Sequence, residues 1–362
     1  MSAKKNSLSD LFGKIVRQQI FIPIAALFIL LLFNLIFDPG FFVITLGENS
    51  AGDPVLSGNL ITVINMGSEL AILAIGMTFV TAASGGQDIS VGAAIAIAGS
   101  VLLRVLCGDN TRPAAGELQT SFLVAFIVSC IVAMAFGAFN GVLVSIFKIQ
   151  PMVATLILYT AGRSIAAWIN NNELPIISDP EFGYFGGFIP GIPVPTPVFI
   201  AIACMIVAAL VLKFTNLGLY TQAVGINENS SRLNGLNPVF IKWLTFVILG
   251  LCVAVAALIK VSRLSSINYS VIAKDIEMDA ILAVALGGNA LSGGKFNLWA
   301  SIIGAYVIQL LTTTLFKYEV PSDALPAYKA VVVILLVVFS APTVREKLAH
   351  LKKSPAAKKG VA

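Results

Sequence analysis

The stretch "FIPIAALFILLLFNLIF", residues 21–37, carries no charged side chain from end to end. A run of about twenty apolar residues can cross the hydrocarbon core of a bilayer as a helix, and a series of runs near that length follows along the chain. Backbone polar groups in hydrocarbon must be satisfied inside the spanning structure, which leaves helices or a closed barrel. Barrel strands alternate apolar and polar residues over about ten positions, and these runs do not alternate. Charged residues make up 11% of the 362 residues and hydrophobic residues 57%, with a mean hydropathy of +0.92. Soluble domains carry about 25% charged residues. The sequence therefore excludes a large soluble enzyme and specifies an all-α polytopic membrane protein.

Ten apolar segments are read near 20–37, 60–83, 88–107, 121–147, 152–169, 197–214, 240–260, 276–288, 298–316 and 328–341. The first follows a basic stretch with no convincing cleavage site and reads as an uncleaved helix. An even number of spans puts both termini on one side. With the N-terminus inside, most of the 23 lysines and arginines fall on inside segments, and the long outside segments 38–59 and 170–196 contain none. This follows the positive-inside rule. Lys260, Arg263 and Lys274 break the rule, since they fall outside. The domain reading is a cytoplasmic basic N-terminus over 1–19, one transmembrane domain over 20–341 and a cytoplasmic basic tail over 342–362. The outer segment 170–196, rich in Pro and Gly, reads as an ordered but irregular loop.

The net charge of +5 belongs, in such a chain, to loops beside anionic lipid, so membrane lipid is a partner and nucleic acid is not. Cys107, Cys130, Cys204 and Cys252 are far apart and show no metal-ligand spacing. The single histidine, His350, lies in the basic tail, which argues against histidine catalysis or a metal site. No G-x-x-x-x-G-K-[ST] loop is present: "SGGKF" lacks the first glycine and the Ser or Thr after Lys295. If ATP drives this protein, another subunit binds it.

Two octets interrupt the apolar pattern. "GGQDISVG" spans 85–92 and "GGNALSGG" spans 287–294, and both read Gly-Gly-x-x-x-Ser-x-Gly. Glycine pairs break helices, and discontinuous helices in transporters are where polar substrates bind. The substrate-path candidates are Gly85, Gly86, Asp88, Ser90, Gly287, Gly288, Asn289, Ser292, Gly293 and Gly294. Small residues around the first break equally serve close helix packing. Asp88 has two readings: a group on a substrate path, or a cap on the helix that follows. The shared spacing suggests an internal repeat, parallel if the breaks lie six helices apart. Asn289, Ser292 and Asn297 are neutral hydrogen-bonding groups that suit a neutral polyol.

Between two apolar runs lies the polar segment 216–239. "NENSSRLNG" has the form of a short helix with Asn227 as N-cap and Gly235 at its end, and Asn237-Pro238 starts the next membrane helix. This is either a connecting loop or a docking knob for a soluble partner.

Four stretches taken together resemble the ribose-type permeases of ABC sugar importers. "GGQDISVGA" is similar to their "GGIDLSVG" signature, "AVGINENSSRLNGL" to their cytoplasmic coupling segment, "LAVALGGNALSGG" to their later "AVVLGGTSLSGG", and "FNGVLVSIFKIQPMVATL" to their middle region. The resemblance runs in order from about 60 to 340. It departs at Gln87, where the family has Ile, and at Ser230 and Ser231, where it has an Ala pair. The C-terminal stretch with "KAVVV" resembles the galactofuranose-type branch. The resemblance implies a multi-pass subunit of the bacterial inner membrane, paired with a second permease subunit. A periplasmic sugar-binding protein would deliver a monosaccharide, and a cytoplasmic ABC ATPase, holding ATP and Mg, would drive import; the chain itself would hold no cofactor and catalyse no reaction. Gly225, Asn227, Arg232 and Gly235 match the coupling pattern and are the ATPase-contact candidates. The sugar could be galactofuranose, another hexose or a pentose.

The rival class is an ion-coupled secondary transporter using Glu69, Asp88 or Asp279. A membrane-embedded enzyme has less to stand on, because Asp275, Glu277 and Asp279 cluster at a membrane boundary and can simply flank a helix.

Overall fold

The structure is a computed structural model that describes residues 20–48 and 52–340; the N-terminus read over 1–19 and the tail over 342–362 lie outside the described residues. Helices form over all ten apolar segments: α1 Phe21–Phe37, α2 Asn59–Ser84, α3 Val91–Cys107, α4 Phe122–Ser145, α5 Pro151–Ile169, then, after the one-turn α6 Pro180–Gly183, α7 Thr196–Phe214. Two short helices follow, α8 Leu217–Ile226 and α9 Glu228–Leu233, then α10 Pro238–Leu264, α11 Ile276–Leu286, α12 Leu298–Lys317 and α13 Leu325–Ser340. Six of them, α2, α4, α5, α7, α10 and α12, are long and apolar enough to cross a membrane by length and composition, and α1, α3 and α13 contribute shorter apolar helices. A two-stranded antiparallel hairpin, β1 Thr45–Glu48 and β2 Pro54–Ser57, precedes α2. It lies in the outside segment 38–59, for which no strand was read from the sequence.

Lipid cannot reward burial of one apolar helix against another, so close backbone approach and interhelical hydrogen bonds hold such a bundle. The crossing of α4 and α10 shows how. A Cβ on Gly250 would stand 2.5 Å from Ala133 O and 2.9 Å from Met134 Cα, and one on Gly137 would meet Phe246 O. Ser129 Oγ donates to Ala98 O at 2.8 Å, joining α4 to α3. Asn34 Nδ2 of α1 donates to Thr314 Oγ1 of α12 at 2.9 Å. The exposed faces of α1 and α7 are apolar, with Phe28, Leu32, Ile206 and Val207 open, as lipid contact requires.

The bundle has two distinct ends. One gathers the α2–α3 break, the α4–α5 connection, α8, α9 and the α11–α12 break. The other gathers the hairpin, the α3–α4 connection, residues 170–195 and the α10–α11 connection. There Leu56 N donates to Pro193 O at 3.0 Å and Ile177 N to Ser265 O at 2.8 Å. Ser262 Oγ donates to Phe182 O and accepts from Gly186 N at 2.9 Å, which orders the irregular 170–195 segment.

Two of the three basic residues that broke the positive-inside pattern are accounted for. Lys260 Nζ lies 2.8 Å from Glu69 Oε1 and Arg263 Nη1 lies 3.4 Å from the same oxygen, while Arg263 Nη2 donates to Asn65 Oδ1 at 3.1 Å. Their charge is met inside the bundle by α2 instead of facing headgroups.

The glycine crossing predicts that Gly250→Val overpacks the α4–α10 contact at a cost of about 1–3 kcal/mol and lowers the thermal midpoint of the detergent-purified protein. Gly183→Ala, where a Cβ meets nothing within 4 Å, is expected to leave that midpoint in place. Equal midpoints for the two variants would mean that α4 and α10 do not cross this closely.

Candidate functional site

The two glycine breaks touch each other. Gly85 closes α2 in a left-handed conformation, φ +66°, which a side chain rarely adopts. A Cβ there would stand 2.8 Å from Ser292 O of the second break, and one on Gly293 would stand 3.0 Å from Gly85 Cα. Gly294 N donates to Ala82 O at 3.0 Å. Gln87 Nε2 donates to Leu291 O at 2.9 Å, so the residue that departs from the family pattern is one that ties the breaks together. Gly225, in the last turn of α8, lies against the same Ala82 carbonyl, and a Cβ on it would stand 2.7 Å from Gly294 N. Two backbone segments, the second break and α8, thus converge on one carbonyl of α2, with Gly86 seated on the Pro151 ring and Gly287 on the first turn of α12.

Asp88 is buried and committed to hydrogen bonds. Its Oδ1 accepts from Ser90 N at 2.7 Å and from Ser90 Oγ at 2.6 Å. Asn140 Nδ2 of α4 donates to Asp88 Oδ2 at 3.3 Å and to Ser90 Oγ at 3.0 Å. The carboxylate sits at the N-terminus of α3, where unpaired N–H groups and the helix dipole favour negative charge. The cavity beside Asp88 and Ser90 measures about 10 Å³, near the least space that holds one water.

The second break spends its polar groups on itself. Asn289 Oδ1 accepts from Asn297 N at 2.6 Å, and Asn289 Nδ2 donates to Ser301 Oγ at 2.7 Å. Asn297 Oδ1 caps α12 by accepting from Ala300 N at 3.2 Å. Both breaks lie at one end with the chain running the same way through them. Their local geometry differs: the left-handed glycine is Gly85, first of its pair, in one and Gly288, second of its pair, in the other. Ser90 leads directly into α3, whereas Ser292 lies six residues before α12.

At the opposite end a cavity of about 710 Å³ opens between α2, α10, α11, α12 and α13, within the usual range for small-molecule sites of roughly 300–1,000 Å³. None of the ten break residues lines it. Its polar wall is Asn59, Thr62, Glu69, Gln309, Thr312 and Thr313, with the ammonium groups of Lys260, Lys274, Lys317 and Lys329 and the carboxylates of Asp275 and Asp279. Glu69 is held by Lys260 and Arg263. Lys329 Nζ donates to both Asp279 oxygens, at 3.0 and 2.8 Å. Sequence reasoning found Glu69 and Asp279 but missed Gln309, Thr312, Thr313 and Lys329, whose signal is polar residues recurring on one face of otherwise apolar helices.

The coupling-type segment is two helices, not one. Asn227 caps α9 by accepting from Ser230 N at 2.9 Å, and Gly235 follows it at φ +82°. Asn237 caps α10 by accepting from Phe240 N at 3.1 Å, with Pro238 at the first position. Arg232 is exposed, and Ile226 and Leu233 are 73% and 89% exposed, so the segment presents apolar and basic side chains outward. Glu228 takes both Lys148 and Lys242. The bond from Lys148, then that from Lys242, hold its carboxyl down to about 2 from the usual 4.5. The ion pair is therefore complete above about pH 4.5 and is lost as pH falls through about 2.

A family model described as branched-chain amino acid transport system / permease component matches residues 59–341. The chain is 36% identical over 316 residues to the galactofuranose transporter permease protein of Escherichia coli (strain K12), covering 87% of each chain. It is 34% identical over 340 residues to the fructose import permease protein of Bifidobacterium longum (strain NCC 2705), covering 92% of this chain and 91% of that one. To the ribose import permease protein of Escherichia coli (strain K12) it is 34% identical over 283 residues, 77% of this chain and 84% of that one. No solved structure matches. The chain belongs to this family of permease components, as the four motifs implied. It is a multi-pass protein of the bacterial inner membrane and a transport subunit, not itself an enzyme.

Two outcomes follow from the polar end. Asp88→Ala removes the acceptor that Ser90 N and Ser90 Oγ share just before α3, leaves buried donors unpaired and is expected to cost about 1–3 kcal/mol, read as a lower thermal midpoint, while Asp88→Asn keeps one acceptor oxygen and loses less. An unchanged midpoint in Asp88→Ala would mean that the carboxylate does not hold the turn into α3. Carbodiimide treatment at neutral pH is expected to join Glu228 to Lys148 or Lys242, read by peptide mass spectrometry. Recovery of unlinked Glu228 alone would contradict the pairing.

Proposed function

We propose that this chain is the transmembrane subunit of an ATP-driven, binding-protein-dependent importer whose cargo is a monosaccharide, either galactofuranose or a related hexose or pentose. The observation that carries the reading is the large cavity whose carboxylates Glu69 and Asp279 are already ion-paired. Besides Lys274, Asp275 and Lys317, what it offers a ligand is a wall of amide and hydroxyl groups, the chemistry that recognises a neutral polyol. Three relatives are named for galactofuranose, fructose and ribose, all monosaccharides, which supports the same cargo.

In this reading the cavity end is periplasmic and receives sugar from a soluble binding protein. The end carrying α8 and α9 is cytoplasmic, as are the segments 1–19 and 342–362. A cytoplasmic ABC ATPase, which supplies ATP and Mg, docks on the exposed residues of 216–239, with Gly225, Asn227, Arg232 and Gly235 shaping that surface. The chain needs no cofactor of its own. A second permease subunit completes the path across the membrane. The glycine contacts among Gly85, Gly86, Gly287, Gly288, Gly293 and Gly294, with Ser292 beside them, close the path at the cytoplasmic end, while Asp88, Ser90 and Asn289 hold the break geometry.

The ion-coupled alternative gains nothing from the geometry. Glu69 and Asp279 each hold a fixed cationic partner, Asp88 is spent on Ser90 and Asn140, and four lysines against three carboxylates line the cavity, which disfavours a bound cation.

The test is uptake into proteoliposomes that contain the chain with an ABC ATPase and a sugar-binding protein from the same organism, using labelled galactose, fructose and ribose in turn. Import of at least one sugar that requires ATP and all three proteins is expected. Import driven by a proton or sodium gradient without the ATPase would overturn the reading.

A further inference from the structure

Helix α9 has six residues, far fewer than an isolated helix needs to persist in water. Asn227 caps it, and Ser231 Oγ donates back to Asn227 O at 2.9 Å, but those contacts are internal. Glu228 fastens it to the bundle. One carboxylate oxygen takes Lys148 from the α4–α5 connection, and the other takes Lys242 of α10 at 2.7 Å.

These two lysines differ in what they add. Lys242 is 14 residues away along the chain, so α10 is tied to α9 covalently in any case. Lys148 is 80 residues away and has no other link to α9. It holds a left-handed backbone, φ +57°, a conformation uncommon for a residue with a side chain. Directly beyond it, the Pro151 ring packs against Gly86, where a Cβ would stand 2.8 Å from Pro151 Cγ. Thr155 Oγ1 accepts from Ile89 N at 3.2 Å. A continuous set of contacts therefore runs from the exposed helix α9 through Lys148 to residues 86–89, the turn from which α3 starts, without passing through α8 or α10.

We propose that Glu228 is a positioning residue that passes displacement of α9 to the first glycine break through Lys148. The proposal rests on the importer reading above. When a docked partner moves α9, the ion pair moves the 146–150 connection with it, and Pro151 and Thr155 carry that motion to Gly86 and Ile89. Helix α8, seated on Ala82 by Gly225, moves the other side of the same break. The break is thus held at both edges by the segment that meets the partner. An exposed ion pair adds little to stability, so its loss cuts the link while the fold stands.

The experiment uses the complete transporter in proteoliposomes, with whichever of galactose, fructose and ribose the wild type imports, and measures sugar imported per ATP hydrolysed. Lys148→Gln is expected to lower that ratio about tenfold, within the usual span of a coupling energy, while the ATPase co-purifies at the wild-type ratio. Lys148→Arg keeps the charge and is expected to stay within about twofold of wild type. Glu228→Gln is expected to match Lys148→Gln. A wild-type import ratio in Lys148→Gln overturns the proposal, and so does loss of import together with loss of the ATPase, which would make the pair a docking element. Absence of ATP-driven uptake in the wild type is a separate result that overturns the importer reading itself.

Discussion

The carbonyl of Ala82 is the point on which the polar end of the bundle depends. It accepts from Gly294 N, and the backbone of α8 at Gly225 is pressed against it. Gly85 turns the chain three residues later in a conformation that suits glycine. No side chain could be placed at Gly225 without moving one of the two breaks. A free carbonyl at the end of a membrane helix would be costly in hydrocarbon; here the second break supplies the donor. The same contact that satisfies the end of α2 fixes the second break against the first and seats the coupling-type segment on both.

Charge is arranged to match. The cavity end carries lysines and an arginine where loop statistics favour few, yet Glu69 and Asp279 meet Lys260, Arg263 and Lys329 within the bundle. A pair desolvated together contributes little net stability and costs much when one partner is removed. What such pairs leave behind is a polar wall of low net charge, suited to a ligand that brings hydroxyl groups and no charge. At the other end, Glu228 does a different job, since its bond to the half-exposed Lys148 joins segments 80 residues apart.

Much of the fold was legible in the sequence because lipid imposes a strict length rule. Every apolar run became a helix, and the Asn227, Asn237 and Gly235 boundaries fell where cap chemistry puts them. Whether a run crosses the membrane is a finer matter, and α11, at 11 residues, shows why apolar length alone does not decide it. The site was less legible. The octets announced a polar break, but not that the breaks would pack on each other, because that contact joins residues about two hundred positions apart, such as Gln87 and Leu291. Asn289 looked like a ligand group and is a loop staple. Thr312 and Thr313, which no sequence motif singled out, line the cavity. Helix α8 was hidden in a segment whose polar letters read as connection.

The bond between Asn34 and Thr314 has a consequence for biogenesis. Its two ends are 280 residues apart. At about 5–20 residues per second of synthesis, Thr314 is made roughly 14–56 s after Asn34. Through that interval the bond to Thr314 cannot form, and Leu30 O is the acceptor that its own helix offers the Asn34 amide. Helix α1 precedes the stretch 59–341 that matches the family model, and its polar anchor comes from α12, made well after it. Docking of α1 through Asn34 therefore has to follow synthesis of α12.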